Sequence, residues 1–102
     1  MRIIKTATLD GYAKEHPKAA AGLAHWETIA RAAEWTNLVQ TRASFPHADQ
    51  VTVGSGRTVT VFNIKKNDYR LITAIHYNTR KVFILLFLTH ADYDKDTWKD
   101  TL

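Results

Sequence analysis

The residues with chemistry to offer fall in two short stretches. Lys65, Lys66 and Arg70 surround one polar segment, and His90, Asp92, Tyr93 and Lys95 follow one apolar run. Cleaving RNA without a metal needs a base for the 2′-hydroxyl proton, a cation for the charged phosphorane and an acid for the leaving 5′-oxygen. Histidine titrates near neutrality, so His90 suits the acid or base role. Arg70 can offer two donors in a plane to one phosphate. Tyr93 can give up a proton or stack on a base. On a helix His90 and Tyr93, three apart, face the same side. Taken singly, each has a structural alternative, His90 as part of a helix cap and Tyr93 as a lid on the core. The basic segment serves no folding purpose, and that tips the cluster toward a site.

These residues need elements to hold them. Val82 to Leu88 are seven apolar residues without a polar break. A membrane span needs about 20, so this run is expected to be a strand buried on both faces in the middle of a sheet. Thr89 to Asp92 then fit a hydroxyl-capped helix start with an acid three residues on. The central strand would thus deliver His90 to Lys95 to one sheet edge.

Lys65-Lys66-Asn67-Asp68 is expected to be a hairpin turn, with Asn67 and Asp68 tolerating positive φ. Before it, Thr58 to Ile64 alternates, but its apolar parity shifts between Val61 and Phe62, which means burial on both faces or a bulge. After it, Tyr69 to Tyr77 is the return strand, with Leu71 and Ile75 on one face and Arg70 and Ile72 on the other. Val51 and Val53 could begin an earlier strand, and Gly54-Ser55-Gly56 is a turn.

The first half reads as helical. Arg2 to Lys5 is a short strand candidate, and Thr6 or Thr8 could cap a helix running to Glu15. His16-Pro17 breaks it. Lys18 to Glu34 repeats Ala19, Leu23, Trp26, Ala30 and Ala33 at helical spacing, with Trp26 as a core anchor. Trp35 to Ser44 reads as a further short helix, with Thr36 as its candidate cap. His47 to Gln50 reads as an exposed loop. The order implies an α+β fold, with helices on one face of a mostly antiparallel sheet and a short C-terminal helix.

A length of 102 residues fits one domain and not two. Hydrophobic content of 45% and charged content of 24% are those of an ordinary soluble globule. With no cysteine, disulfides, thiolate metal sites and cysteine nucleophiles are excluded. The five histidines show no zinc-helix spacing, and there is no phosphate-binding glycine loop or serine elbow. No cofactor or metal is expected. The N-terminus has no signal-like apolar core, so a cytoplasmic, membrane-free location is the default. Of the net charge of +4, residues 51–82 hold six cations against one acid, while residues 83–102 carry −2. The positive charge therefore lies in the sheet, beside the polar end of the apolar strand. A basic face of that kind suits a polyanion, or merely keeps the protein soluble.

The segments Val61 to Ile72 and Val82 to Lys95 resemble the motifs of HigB-type toxins, and Thr89-His90-Ala91-Asp92-Tyr93-Asp94-Lys95 is close to that family's T-H-x-x-Y-D. The two motifs cover about a quarter of the chain, and the first half matches in layout only. The resemblance implies a RelE-like fold and the toxin of a type II toxin–antitoxin pair. It implies an endoribonuclease (an mRNA interferase) acting on messenger RNA, generally on translating ribosomes. It also implies a helix-turn-helix, HigA-like antitoxin encoded next door, through which alone operator DNA would be engaged. His90, Tyr93, Arg70 and Lys66 would be catalytic, and Lys65, Lys66, Arg57 and Lys95 would contact RNA. Leu85-Leu86-Phe87-Leu88 departs from relatives that often carry a basic residue before the terminal motif. The other functional reading is a non-catalytic RNA- or ribosome-binding module using the same basic face.

Overall fold

In the computed structural model, which describes residues 1–102, the strands are β1 (Arg2–Ile4), β2 (Asp49–Thr52), β3 (Thr58–Ile64), β4 (Tyr69–His76) and β5 (Lys81–Thr89). They form one sheet in the order β1-β5-β4-β3-β2. β1 runs parallel to β5, and the other pairings are antiparallel. The helices are α1 (Thr6–Glu15), α2 (Ala20–Ala32), α3 (Leu38–Ser44) and the short α4 (His90–Asp94), with a terminal 3₁₀ segment at Thr97–Thr101. This is the expected α+β, RelE-like architecture.

α2 forms the main helical cover because its small and apolar residues share one side. Leu23, Trp26 and Ala30 are buried there, while Thr28 and Arg31 face solvent. Trp26 is the expected core anchor, packed against Phe62 and Phe45. Gly22 is required by close approach. A Cβ at that position would lie 2.9 Å from Ile64 Cγ2 and 3.3 Å from the Lys65 nitrogen. The helix therefore lies directly against the base of the β3–β4 hairpin.

The apolar run is β5, but β4 is the middle strand and β5 lies one place out, with β1 beyond it. Its lack of alternation has a local cause. Ile72 pairs with Leu86 and Thr73 with Ile84, which leaves Leu85 as an extra residue in a bulge. Val82, Ile84 and Phe87 enter the helix-side core, whereas Leu85, Leu86 and Leu88 are half-buried on the opposite face. Two-sided burial thus holds only in part. The parity shift in β3 resolves the other way. Its pairing with β4 is regular, and Val59 and Val61 pack on one face while Phe62 and Ile64 pack on the other.

Three local expectations are corrected. α1 is preceded by Lys5 in the left-handed region, with no side-chain cap from Thr6 or Thr8. α3 starts at Leu38 and is capped by Asn37, whose side chain accepts from the Gln40 amide at 2.9 Å. Trp35 stays outside the helix, with its ring buried in the core. In the hairpin, positive φ falls on Lys65 (52°) and Lys66 (59°) rather than on Asn67 and Asp68. Left-handed residues at the first two loop positions match the strand twist, and Asn67 is used as a hydrogen-bond hub instead.

Candidate active site

The face of the sheet turned away from α1 and α2 has only the C-terminal segment over it. Asn63 of β3 and Arg70 of β4 are cross-strand partners. Arg42 comes from α3, His47 from the approach to β2, Asp49 from the start of β2, and Tyr93 from α4. These six side chains line an open hollow of about 580 Å³, floored by Val61. Beside it His47, Asn63, Lys66 and Asn67 line a second hollow of about 290 Å³.

Arg70 is aimed by backbone rather than by an acid. Its Nη1 donates to the carbonyl oxygens of Asn67 (2.9 Å) and Tyr69 (3.1 Å), and its guanidinium lies 5.3 Å from the centre of the Tyr93 ring. No carboxylate pairs with it, so its charge remains available to a phosphate. Tyr93 is half-buried and stacked on Trp98 at 5.3 Å, and the Trp98 indole donates to the Tyr93 carbonyl at 3.0 Å. Desolvation, with help from Asp49, pushes the Tyr93 phenol above its usual value near 10, although Lys99 and Arg70 pull it down. The phenol therefore holds its proton at neutral pH and can act as a donor.

His90 sits where the end of β5 was expected to put it, at the start of α4 beside the basic hairpin. Thr89 caps that helix by accepting from the Asp92 amide at 3.2 Å. Both nitrogens of the His90 ring lie against acceptors, Nε2 2.9 Å from Asp94 Oδ2 and Nδ1 3.3 Å from the Asn67 carbonyl, and the neutral ring donates to one of them. The Asn67 carbonyl is the atom that also holds Arg70. His90 therefore ties α4 to the hairpin and lines neither hollow.

The cations predicted from sequence separate in space. Lys66 lines the smaller hollow without an acidic partner. Lys65 pairs with Asp68 at 3.8 Å, and Lys95 with Asp92 at 3.4 Å. Arg57 lies at the far end of β3, where with Val53, Val59, Leu85 and Leu102 it lines an apolar groove of about 530 Å³. Sequence reasoning missed Arg42, His47, Asp49, Asn63 and Trp98. Asn63 could have been found as the hairpin partner of Arg70, but nothing local marks the other four. No three side chains of metal-ligating type converge anywhere in the chain.

Residues 19–96, which include every residue of the two hollows, match a family described as HigB_toxin, the RelE-like toxic component of a toxin–antitoxin system. The chain belongs to the HigB toxin family. The resemblance carried by its hairpin and terminal motifs is thereby borne out. This HigB toxin is also 25% identical over 97 residues to a protein named mRNA interferase HigB from Escherichia coli O6:H1 (strain CFT073), a match that covers 95% of this chain and 92% of that protein. No helix of this HigB toxin is long and apolar enough to cross a membrane.

Proposed function

We propose that this HigB toxin is an endoribonuclease that cleaves messenger RNA on translating ribosomes without a metal. The observation that carries the proposal is an unpaired Arg70 guanidinium beside a protonated Tyr93 phenol in an open hollow. Arg70 meets the negative charge that builds on the phosphorane, and Tyr93 protonates the departing 5′-oxygen. Lys66 draws the RNA backbone into the adjoining hollow. His90, bound to Asp94 and Asn67, keeps the hairpin that carries Arg70 and Lys66 in place. The name of the E. coli relative supports the substrate. The partner that silences the toxin is a helix-turn-helix, HigA-like antitoxin from the adjacent gene, and operator DNA is engaged only through it.

Expression alone is expected to stop growth, and co-expression of the adjacent gene to restore it. In vitro, mRNA on programmed ribosomes should yield new 3′ ends bearing a 2′,3′-cyclic phosphate or 3′-phosphate, with free RNA cut less. Cleavage should survive EDTA once the magnesium that ribosomes need is restored. Ribosome binding with no new RNA ends would overturn the enzymatic reading and leave a non-catalytic binding module.

A further inference from the structure

Cleavage through Arg70 and Tyr93 still needs a group that takes the 2′-hydroxyl proton. We infer that His47, rather than His90, is the general base, acting on the ribose 2′-hydroxyl next to the scissile phosphate. This rests on the ribonuclease reading above and deepens it.

Two observations separate the histidines. Each ring nitrogen of His90 is turned toward an acceptor of the chain, Asp94 or the Asn67 carbonyl, and His90 lines neither hollow, so whichever nitrogen lacks the proton faces the chain. His47 is exposed, has neither nitrogen engaged by the chain, and lines both hollows. Asn63 alone shares that double position. His47 thus sits between the Arg70–Tyr93 side of the site and the Lys66 side.

The segment around His47 is held firmly despite its exposure. The next residue, Ala48, is buried, its amide donates to the Phe45 carbonyl at 2.9 Å, and its own carbonyl accepts from Arg42 Nε at 2.9 Å. Asp49 then enters the sheet opposite Val61. The charged or titratable groups facing His47 are Arg42 and Asp49 on the flanking segments, Lys66 on the hairpin, Arg70 on β4 and Tyr93 on α4. Asp49, paired with Arg42 at 3.8 Å, is the acid nearest in sequence to the imidazolium that proton uptake creates.

In the step, His47 removes the 2′-hydroxyl proton as that oxygen bonds to phosphorus. The bond from phosphorus to the 5′-oxygen breaks, and the leaving oxygen takes the phenolic proton of Tyr93. The products are a 2′,3′-cyclic phosphate and a 5′-hydroxyl. Water then returns a proton to the phenolate and accepts one from the imidazolium, which restores both groups.

The test is the pH profile of kcat/KM for cleavage of mRNA on programmed ribosomes, measured for wild type, His47→Gln and His90→Gln. Wild type should lose activity on the acid side as a histidine protonates. His47→Gln should cleave about 10²–10⁴-fold more slowly and lack that acid limb, with circular dichroism and antitoxin binding unchanged. Added imidazole should partly rescue His47→Gly. His90→Gln should keep the acid limb. Wild-type rate and acid limb in His47→Gln, or loss of the limb in His90→Gln instead, would overturn the assignment. A slower His47→Gln that keeps the limb would also overturn it, leaving His47 a binding group. Wild-type protein that cuts no RNA would remove the ribonuclease reading itself, and the inference with it.

Discussion

On its helix-covered face the sheet joins fifteen buried residues in one cluster, whereas its open face buries five. The same strands serve both. Phe62 and Leu71 point into the large core, and their immediate neighbours Asn63 and Arg70 line the hollow. One step along a strand separates a residue that holds the fold from one that lines the hollow. The larger cluster fixes backbone positions, and the thinly covered face can then present polar groups without bearing the stability of the sheet. Tyr93 spans the two roles on the open side, since its ring packs on Trp98 while its phenol faces the hollow.

The sharpest way to break this division is on the covered face. Trp26→Ala should cost about 3–5 kcal/mol, lowering the unfolding temperature by more than about 10 °C, as calorimetry would show. A small loss there would mean that the large cluster does not carry the fold.

On the open face the expectation reverses. Tyr93→Phe should reduce cleavage about 10²–10⁴-fold while moving the unfolding temperature little. The same variant tests the proton. Because the folded phenol is raised above its unfolded value, its proton contributes stability that is complete below the ordinary tyrosine range. That contribution is lost as pH rises through the raised value. Alkaline titration followed by phenolate absorbance should show late-ionising phenols from Tyr12 and Tyr93, one on each face. Tyr93→Phe should remove one of them and flatten the fall in stability at high pH.

Arg70→Lys comes next. Keeping the charge but losing the planar donor pair should leave the fold intact and slow cleavage by about 10²-fold. Cleavage at the wild-type rate would reduce Arg70 to a general positive charge. The smallest effect is expected at Arg57. Seven strand residues, roughly 20 Å, separate it from the hairpin, well beyond the screening length at physiological salt. Arg57→Ala should therefore change the cleavage rate less than about twofold, and a larger loss would extend the RNA path along the whole open face.

The fold class, the hairpin and the capped turn after β5 were legible because each is written in neighbouring residues. The Leu85 bulge was not, because it depends on which β4 residue each β5 residue meets. Arg70, Tyr93 and Lys66 were legible as chemistry, and the fold brings Arg70 and Tyr93 to one hollow and Lys66 to the one beside it. Arg57 was grouped with them by charge alone, and the length of β3 places it elsewhere. His47 appeared only as an exposed loop residue. Its place in the site follows from β2 pairing with β3, a contact between segments that carry no mutual signal in the chain.

The left-handed lysines at the hairpin tip have a consequence for stability. Folding alone would favour asparagine and glycine there, and each lysine in that conformation costs about 1 kcal/mol. Substitutions that relax Lys65 and Lys66 should make the molecule sturdier, and the one at Lys66 would take a charge from the smaller hollow. Under the proposed function, loss of Lys66 would weaken the toxin while leaving it folded.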